Sequence, residues 1–303
     1  MNSALLYVGT VLIWGSTWLS IRFQLGVVAP EVSLVYRFGI ASILLLIWCR
    51  AKRLPLRIGA RDHGFLVLLG LNLFSLNYLL FYIAAETLTT GLLAVIFSTM
   101  ALMNIFNGAL FLRRPVELRT LVGAGLGLTG ICLVFWPEVS GSGRGSATIG
   151  ILLSLVATYF ASLGNILSAR NQAVGIKVIP ANALGMLYGT LLMGAYALIT
   201  GANFNFDPSF GYVSSLLYLS LFGSALAFSL YLTLVGRIGP EKAAYATVLF
   251  PIVALTLSTI FEGYQWSSLA GAGIVLVLVG NILVLTHHQR FLSIMRHLFP
   301  RFL

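Results

Sequence analysis

The sequence predicts an all-α integral membrane protein with ten transmembrane helices, arranged as two inverted five-helix repeats with both termini in the cytoplasm. Three observations carry this prediction: the composition, a series of apolar runs of spanning length, and an uneven distribution of Lys and Arg among the loops. Of the 303 residues, 59% are hydrophobic and only 9% are charged, whereas soluble domains carry about 25% charged residues.

Apolar runs long enough to cross a bilayer, which takes roughly 20 helical residues, follow one another along the whole chain. They lie at 3–24, 32–51, 64–85, 90–112, 118–137, 148–171, 180–200, 212–234, 240–262 and 266–286. The runs are continuous and do not alternate with a period of two, which excludes a transmembrane β-barrel. Several connections are only a few residues long, so we expect neighbouring helices to form antiparallel hairpins.

The basic residues predict the orientation of these helices. With the N-terminus in the cytoplasm, 15 of the 18 Lys and Arg residues fall on the inner side, while Arg22 and Arg144 fall outside and Arg37 lies within a span. Cytoplasmic loops carry an excess of Lys and Arg, so the sequence predicts that both termini are cytoplasmic. The formal charge of +10 therefore reflects loop placement, and nucleic acid is not an expected partner.

A Gly- and Ser-rich stretch divides the chain into two halves of five spans. The predicted organisation is a first repeat at 1–137, a linker at 138–147, a second repeat at 148–286 and a cytoplasmic interfacial tail helix at 287–303. An odd number of spans per half makes the second half enter the membrane from the opposite side, so the repeat is inverted. Apolar residues recur at helical spacing in the tail between basic ones, which is typical of an interfacial helix.

The two halves match weakly in sequence. Pro30 and Pro180 are separated by 150 residues and each precedes the second span of its half, while 121–125 aligns with 269–273 at a shift of 148. The stretch 239–262 carries Pro251 at its middle, where a missing backbone hydrogen bond bends or opens a helix. Its counterpart at 89–101 has Ala101 at the proline position. A broken segment that recurs in both halves points to a transporter's binding site.

With this layout the chain resembles the drug/metabolite transporter superfamily, specifically its ten-span EamA-like members. The resemblance rests on Leu12-Ile-Trp-Gly-Ser-Thr-Trp18, on Tyr36-Arg-Phe38, on the 239–262 block with Phe250-Pro251, and on Glu262 nine residues before Gly271. The first half departs from the pattern, with Arg114 where the corresponding Glu would stand and Ala101 in place of proline. The resemblance implies a secondary transporter, often an exporter of amino acids or other small metabolites, with its substrate cavity between the halves.

Polar and aromatic residues near the midpoints of the predicted spans are the candidates for a substrate pocket, because polar side chains in a bilayer usually face the bundle interior. The candidates are Trp14, Ser16, Thr17, Asn72, Ser75, Asn77, Ser98, Tyr159, Ser162, Asn165, Ser224, Tyr245, Thr247 and Pro251. Tyr159, Ser162 and Asn165 are spaced at i, i+3 and i+6 and are interpreted as one cavity-facing stripe. The alternative for each candidate is helix packing or interhelical hydrogen bonding.

Arg37 is the basic residue that lies inside a span. A buried guanidinium needs a carboxylate, backbone carbonyls or water, and Glu31, Glu86 and Glu262 all lie near the outer ends of predicted spans. We interpret Arg37, Glu86 and Glu262 as gating or structural charges. Binding of a substrate carboxylate by Arg37 is the alternative.

Other functional classes are disfavoured by what the sequence carries. Eight acidic residues are spread thinly along the chain and the four His lie at cytoplasmic ends, so we expect no catalytic residues, metal site or cofactor. A membrane-embedded transferase needs clustered acids or a nucleophile with a base, and a channel needs a filter or charge ring. The expected partners are a small-molecule substrate and the lipid bilayer. The glycines at 123–127 allow close helix packing or a homodimer contact.

Overall fold

The fold is described from a computed structural model, which places residues 3–112, 118–140, 144–239, 243 and 245–285. Within these ranges the regular structure is entirely helical. The predicted tail helix at 287–303 lies outside them. Every apolar run identified in the sequence contains helix, because in a bilayer a helix satisfies all of its backbone hydrogen bonds internally.

The first half of the chain forms helices α1 to α7. Their bounds are α1 Ser3–Arg22, α2 Pro30–Ala51, α3 Ala60–Leu71, α4 Asn77–Ala84, α5 Thr90–Phe97, α6 Met100–Leu112 and α7 Leu118–Ser140. A π-helical segment, Asn72–Leu76, joins α3 and α4 without a break in the helical rod.

The second half forms helices α8 to α13. Their bounds are α8 Arg144–Ala173, α9 Val178–Ile199, α10 Phe210–Tyr218, α11 Ala227–Ile238, α12 Tyr245–Phe261 and α13 Ser268–Leu285. A second π-helical segment, Leu219–Leu226, joins α10 and α11. Since α7 ends at Ser140 and α8 begins at Arg144, helix ends take up most of the predicted linker at 138–147.

Six helical rods are long and apolar enough to cross a membrane, among the residues that the structure places. They are Pro30–Ala51, Ala60–Ala84, Thr90–Phe111, Gly145–Ala173, Val178–Ile199 and Phe210–Ile238. Many large apolar side chains are exposed on the outside of the bundle, including Leu110 at 70% and Ile199 at 85%. A soluble monomer rarely exposes so much apolar surface, so the exterior fits a lipid environment.

Local sequence explains where several helices begin and end. Pro30 starts α2 with Glu31 in its first turn, where the missing proline N–H costs nothing and a carboxylate stabilises the helix dipole. The Ser209 side chain accepts a hydrogen bond from the Tyr212 N–H and caps α10. Gly175 adopts a φ of 88° after α8, a conformation that favours glycine and turns the chain into α9.

The helix break occurs in the first half of the chain and not at the proline. Helix α12 continues from Tyr245 to Phe261 with Pro251 inside it, so the helix does not open at Pro251, whereas a bend there stays a prediction. The rod containing α5 and α6 is instead interrupted at Ser98 and Thr99. Their hydroxyls donate to the carbonyls of Val95 and Ile96 at 2.7 and 2.6 Å. Such local bonds compete with the helical pattern, so hydroxyl side chains break this rod without a proline.

Glycines allow the closest helix contacts in the bundle. Helices α7 and α13 form the most extensive helix pair, and a Cβ placed on Gly130 would lie 2.5 Å from the Gly273 carbonyl oxygen. A Cβ on Gly273 would lie equally close to the Gly130 oxygen, and one on Gly280 would lie 2.5 Å from the Gly123 oxygen. Helices α2 and α9 form the next most extensive pair.

Two helices lie at the centre of the arrangement and position the site. Helix α1 packs against α5, α11 and α12, while α8 packs against α3, α4, α5 and α6 of the first half and α11 of the second. Each of these central helices therefore contacts rods from both halves of the chain, and the space between them is bounded by both halves.

Candidate functional site

A small internal cavity of about 30 Å³ lies between α1, α8 and their neighbours. Its lining is mostly aromatic with a few polar groups. The lining residues are Trp14, Thr17, Trp18, Ile21, Arg37, Leu73, Asn77, Tyr78, Phe81, Phe97, Met100, Ala161, Asn165, Phe228, Tyr231 and Phe250. An apolar pocket with a few convergent polar groups is the usual form of a small-molecule site.

Trp14 organises one wall of the cavity. Its ring centroid lies 4.8 Å from that of Phe228, 4.9 Å from Tyr231 and 5.8 Å from Phe250, separations at which aromatic pairs attract. The indole Nε1–H donates to the Gly223 carbonyl at 3.0 Å, so the ring is fixed by a hydrogen bond as well as by packing.

Trp18 lies one helical turn after Trp14 and forms the adjoining wall. Its ring lies 5.3 Å from Phe81 and 5.4 Å from Phe97, and Phe97 stacks on Phe250 at 6.3 Å with 13° between the planes. These contacts connect α1 to α4, α5 and α12. The cavity thus has a continuous aromatic wall contributed by both halves.

Arg37 brings a positive charge to the cavity although only 1% of the residue is exposed. Its Nε–H donates to the Ser224 hydroxyl at 3.0 Å and its Nη1–H to the Tyr82 hydroxyl at 3.4 Å. The guanidinium carbon lies 4.5 Å from the centroid of the Tyr78 ring, a cation–π contact. Among the residues that the structure places, Arg37 has no carboxylate partner.

Two asparagine side chains, Asn77 and Asn165, also line the cavity. The Asn165 Nδ2 lies 3.3 Å from the Tyr231 hydroxyl and 3.4 Å from the Asn104 Oδ1. The Oδ1 atoms of Asn165 and Asn77 are buried and have no hydrogen-bond partner within the described chain. Because buried polar groups are nearly always hydrogen-bonded, these two atoms mark places where a bound molecule or water would be stabilised.

The two π-helical segments border the cavity from opposite halves. The first, Asn72–Leu76, supplies Leu73 and directly precedes Asn77, and the second, Leu219–Leu226, supplies the Gly223 carbonyl and the Ser224 hydroxyl that hold Trp14 and Arg37. π-helical turns occur frequently at functional sites.

The structure brings some of the candidate residues into the cavity and leaves others outside it. Trp14, Thr17, Asn77, Asn165 and Arg37 line the cavity. Ser224 lies behind Arg37 as its hydrogen-bond acceptor. Ser98, Thr247 and Pro251 are buried but are not part of the lining. The Tyr245 side chain lies outside the described part of the chain.

Four further candidates make helix–helix or local hydrogen bonds away from the cavity. The Ser16 hydroxyl lies 2.7 Å from the Tyr218 hydroxyl, and Asn72 donates to the Leu68 carbonyl at 2.8 Å. Ser75 donates to the carbonyls of Gly70 and Gly189 at 3.0 Å each. Ser162 accepts a hydrogen bond of 2.8 Å from Asn107, which ties α8 to α6.

Tyr159 lies on the outer surface of α8, where it is 41% exposed. The expectation that it shares a face with Asn165 is wrong for a geometric reason. At 3.6 residues per turn, each step of three residues rotates the side chain by about 60°, so positions i and i+6 are about 120° apart. Asn165 therefore faces inward while Tyr159 faces outward.

The carboxylates that were candidates for pairing with Arg37 lie elsewhere. Glu262 accepts hydrogen bonds from the Thr90 N–H at 3.0 Å and from the hydroxyl of Thr90 at 2.7 Å, and also binds the Ser258 hydroxyl. Glu86 is exposed at the end of α4. Among the described residues no carboxylate pairs with Arg37, and hydroxyl groups hold it instead.

Several aromatic residues of the cavity were not among the residues predicted from the sequence. Trp18, Tyr78, Phe81, Phe97 and Phe228 all line it. A signal was present in their spacing, because Trp14 and Trp18 are four apart and Phe228 and Tyr231 are three apart, so each pair shares a helix face. No group of three or more His, Cys, Asp or Glu that could hold a metal occurs among the described residues.

Comparison with known proteins assigns the fold to a family. The model of the EamA-like transporter family matches the chain twice, over residues 1–136 and 148–286. A solved crystal structure has the same fold, with a TM-score of 0.70 at 15% sequence identity, covering 95% of this chain and 98% of the other.

Several curated bacterial proteins are similar over nearly their whole length. Protein PagO of Salmonella typhimurium is 25% identical over 94% of this chain and 93% of its own. YedA of Escherichia coli, named as an uncharacterized inner membrane transporter, is 27% identical over 90% of this chain and 87% of its own. A Salmonella typhimurium protein named as a probable amino-acid metabolite efflux pump is 25% identical over 89% of this chain and 90% of its own.

Proposed function

The chain belongs to the EamA-like transporter family, and from this premise we propose that it is a secondary transporter of a small organic metabolite such as an amino acid. The substrate binds in the cavity between α1 and α8 and crosses the membrane by alternating access of the two halves. The observation that carries this proposal is the enclosed aromatic cavity with Arg37, Asn77 and Asn165 in its lining, deep within a bundle that is apolar outside.

Internal symmetry supports an inverted repeat as the basis of alternating access. The π-helical segments 72–76 and 219–226 occupy corresponding rods of the two halves. The glycine contacts of α7 and α13 fit a shift of 150 residues, two more than the sequence match of 121–125 with 269–273, so that Gly130 corresponds to Gly280 and Gly123 to Gly273. The close contact of Gly130 with Gly273 therefore has its mirror in that of Gly280 with Gly123, as a two-fold axis requires.

The proposed topology has ten spans with both termini in the cytoplasm of a bacterial cell. It rests on the loop distribution of Lys and Arg and on the helical rods found at every apolar run. Similarity to a protein named as an inner membrane transporter supports the inner membrane as its location. Similarity to a protein named as an amino-acid metabolite efflux pump supports export of a metabolite of that kind.

Two polar contacts lie at opposite ends of the bundle and are suited to closing the cavity alternately. Asp62 near the start of α3 pairs with Arg170 at 2.7 Å, whereas Thr90, which binds Glu262, follows the end of α4. The 25 residues of the rod Ala60–Ala84 separate these ends by about 37 Å at 1.5 Å per residue. Opening either contact would give access to the cavity from one side only.

Uptake and counterflow in proteoliposomes test the proposal. The purified full chain is reconstituted and assayed with labelled amino acids, sugars and cationic drugs, with and without a pH gradient. We expect saturable counterflow of at least one solute class, and loss of most of it in Trp14→Ala. Trp48→Ala is the matched control, because Trp48 is 50% exposed on the surface. Rates equal to those of empty liposomes for every class would refute transport, and currents far above a transporter's turnover would favour a channel.

A further inference from the structure

We infer that the cavity selects solutes that join a carboxylate to an apolar or aromatic body, and that Arg37 binds this carboxylate. The inference rests on the proposed transport function, since it names the substrate class of the same cavity. It uses four observations: the unpaired charge of Arg37, the remaining donors of its guanidinium, the absence of acids from the described lining, and the aromatic walls.

The charge of Arg37 is not balanced by the described protein. Its two hydrogen-bond acceptors, Ser224 and Tyr82, are hydroxyls, and its stacking partner is the Tyr78 ring. A charged group buried in a low-dielectric interior is costly unless it is paired with an opposite charge. A bound anion would supply that charge, and the free energy that it recovers would favour anions over neutral solutes.

The guanidinium retains donors for a ligand. Arginine has five N–H groups in a planar fork, and the described contacts use the Nε–H and one N–H of Nη1. The fork geometry matches a carboxylate, which accepts two parallel hydrogen bonds from it. Ser224 and Tyr82 thereby hold the guanidinium in place, and the described hydrogen bonds leave the N–H groups of Nη2 for a ligand in the cavity that Arg37 lines.

The rest of the lining disfavours cations without a carboxylate. None of the lining residues in the described chain is Asp or Glu, and Glu262 is engaged by Thr90 and Ser258. A cationic solute would therefore be repelled by Arg37 without compensation from a nearby carboxylate. An ammonium group on the same solute as a carboxylate is compatible with the site, because aromatic faces attract cations.

The aromatic walls define the remainder of the solute. Trp14, Trp18, Phe97 and Phe250 present continuous ring surface next to Arg37. Burial of apolar solute surface against these rings favours binding, whereas a hydroxyl-rich sugar would leave most of its polar groups without partners. A solute with a phenyl or indole body and one carboxylate matches the chemistry of these surfaces, and the cavity of about 30 Å³ must widen to admit it.

Four probes that share a phenyl ring test the inference by equilibrium binding to the purified full chain in detergent. They are 3-phenylpropionate, L-phenylalanine, the neutral amide 3-phenylpropanamide and the cation phenethylamine, with quenching of tryptophan fluorescence as the readout. We expect 3-phenylpropionate to bind roughly tenfold or more tightly than its amide, and phenethylamine to bind weakest. L-phenylalanine shows whether the cavity prefers a zwitterion or a simple acid. Tighter binding of either L-phenylalanine or 3-phenylpropionate than of the amide supports the assignment.

Substitutions at Arg37 and its partners separate ligand binding from a structural clamp. In Arg37→Met we expect the preference for the acid over the amide to vanish while amide binding and the unfolding temperature persist. Arg37→Lys keeps a charge but loses the planar fork, so an intermediate preference is expected. Ser224→Ala and Tyr82→Phe remove clamp bonds and should retain the preference, and Trp48→Ala should match the unmodified protein throughout.

Three results would overturn the assignment. One is equal affinity for the acid and the amide in the unmodified protein. Another is a preference for the acid over the amide that survives in Arg37→Met. The third is a loss of this preference in Ser224→Ala and Tyr82→Phe that is as complete as in Arg37→Met, because Arg37 would then be a structural clamp. The outcome is separable from that of the transport assay. Binding of acids without flux of any solute would reject transport alone, whereas flux of cations with no binding of acids would reject this inference alone.

Discussion

The carboxylate of Glu262 caps the helix that begins at Thr90. Its Oε2 accepts a hydrogen bond from the Thr90 N–H at 3.0 Å and a second from the Thr90 hydroxyl at 2.7 Å. A carboxylate at a helix N-terminus satisfies an otherwise unpaired N–H and stabilises the positive end of the dipole. The contact joins the end of α12 to the start of α5, and so links the two halves across 172 positions of the chain.

Replacing Glu262 should therefore destabilise the protein. Thr90 is only 1% exposed, and loss of the partner of a buried donor costs about 1–3 kcal/mol. We expect Glu262→Ala to lower the unfolding temperature in detergent and Glu262→Gln to lower it less, since the amide still accepts one hydrogen bond. Glu86→Ala at the exposed end of α4 is the control and should change nothing. An equal effect of the two alanine variants would contradict the capping role.

Removal of the indole N–H of Trp14 should weaken solute binding without abolishing it. Trp14→Phe keeps an aromatic ring but loses the hydrogen bond to the Gly223 carbonyl, worth about 0.5–1.5 kcal/mol. We expect a loss of solute affinity of roughly threefold to tenfold, and a larger loss in Trp14→Ala, measured by counterflow in proteoliposomes. Identical affinities for the Phe variant and the unmodified protein would mean that ring packing alone holds Trp14.

The glycines between α7 and α13 should tolerate no side chain where they meet the facing backbone. A Cβ on Gly130 would lie 2.5 Å from the Gly273 oxygen, whereas a Cβ on Gly125, in the same helix, meets no atom within 4 Å. We expect Gly130→Ala to cost about 1–3 kcal/mol through overpacking. Gly125→Ala should be neutral or slightly stabilising because alanine favours helix. Thermal unfolding measures the stability of both variants, and equal stability would refute the close contact at Gly130.

Tyr159 and Tyr231 should respond in opposite ways to truncation. Tyr159 is 41% exposed, while Tyr231 is 1% exposed and lines the cavity. We expect Tyr159→Ala to leave transport unchanged. In contrast, Tyr231→Ala should reduce it at least tenfold by removing a ring that contacts Trp14 and a hydroxyl that contacts Asn165. Reduced transport in Tyr159→Ala at normal stability would require a role for the outer face of α8.

Weakening the contacts at the two ends of the bundle should shift access to the cavity in opposite directions. A cysteine introduced at Ala161, which lines the cavity, is labelled by an impermeant maleimide after Cys49 and Cys132 are replaced by Ser. We expect Asp62→Asn to raise labelling in inside-out vesicles and Glu262→Gln to raise it in intact cells. A change in the same direction for both variants would contradict alternating closure.

The sequence alone determined the helices and the presence of a buried charge. Continuous apolar runs leave a bilayer-spanning chain no alternative to helix, which is why each predicted run contains one. Arg37 was identified because a cation within an apolar run is conspicuous, and Trp14, Thr17, Asn77 and Asn165 because polar or amphipathic groups at mid-depth tend to face inward. These inferences depend only on neighbours along the chain.

Only the tertiary structure decided which groups meet. The partners of Arg37 lie 45 and 187 positions away, and both are hydroxyl groups. Apolar periodicity does not predict the break at Ser98 and Thr99 or the two π-helical segments, because these features depend on which hydrogen bonds the backbone makes. Tyr159 faces outward because positions i and i+6 of a helix lie about 120° apart, and packing against the other rods decides which of the two positions faces inward. The cavity itself is a space between rods, and its walls are fixed by packing across the two halves, which no single stretch of sequence contains.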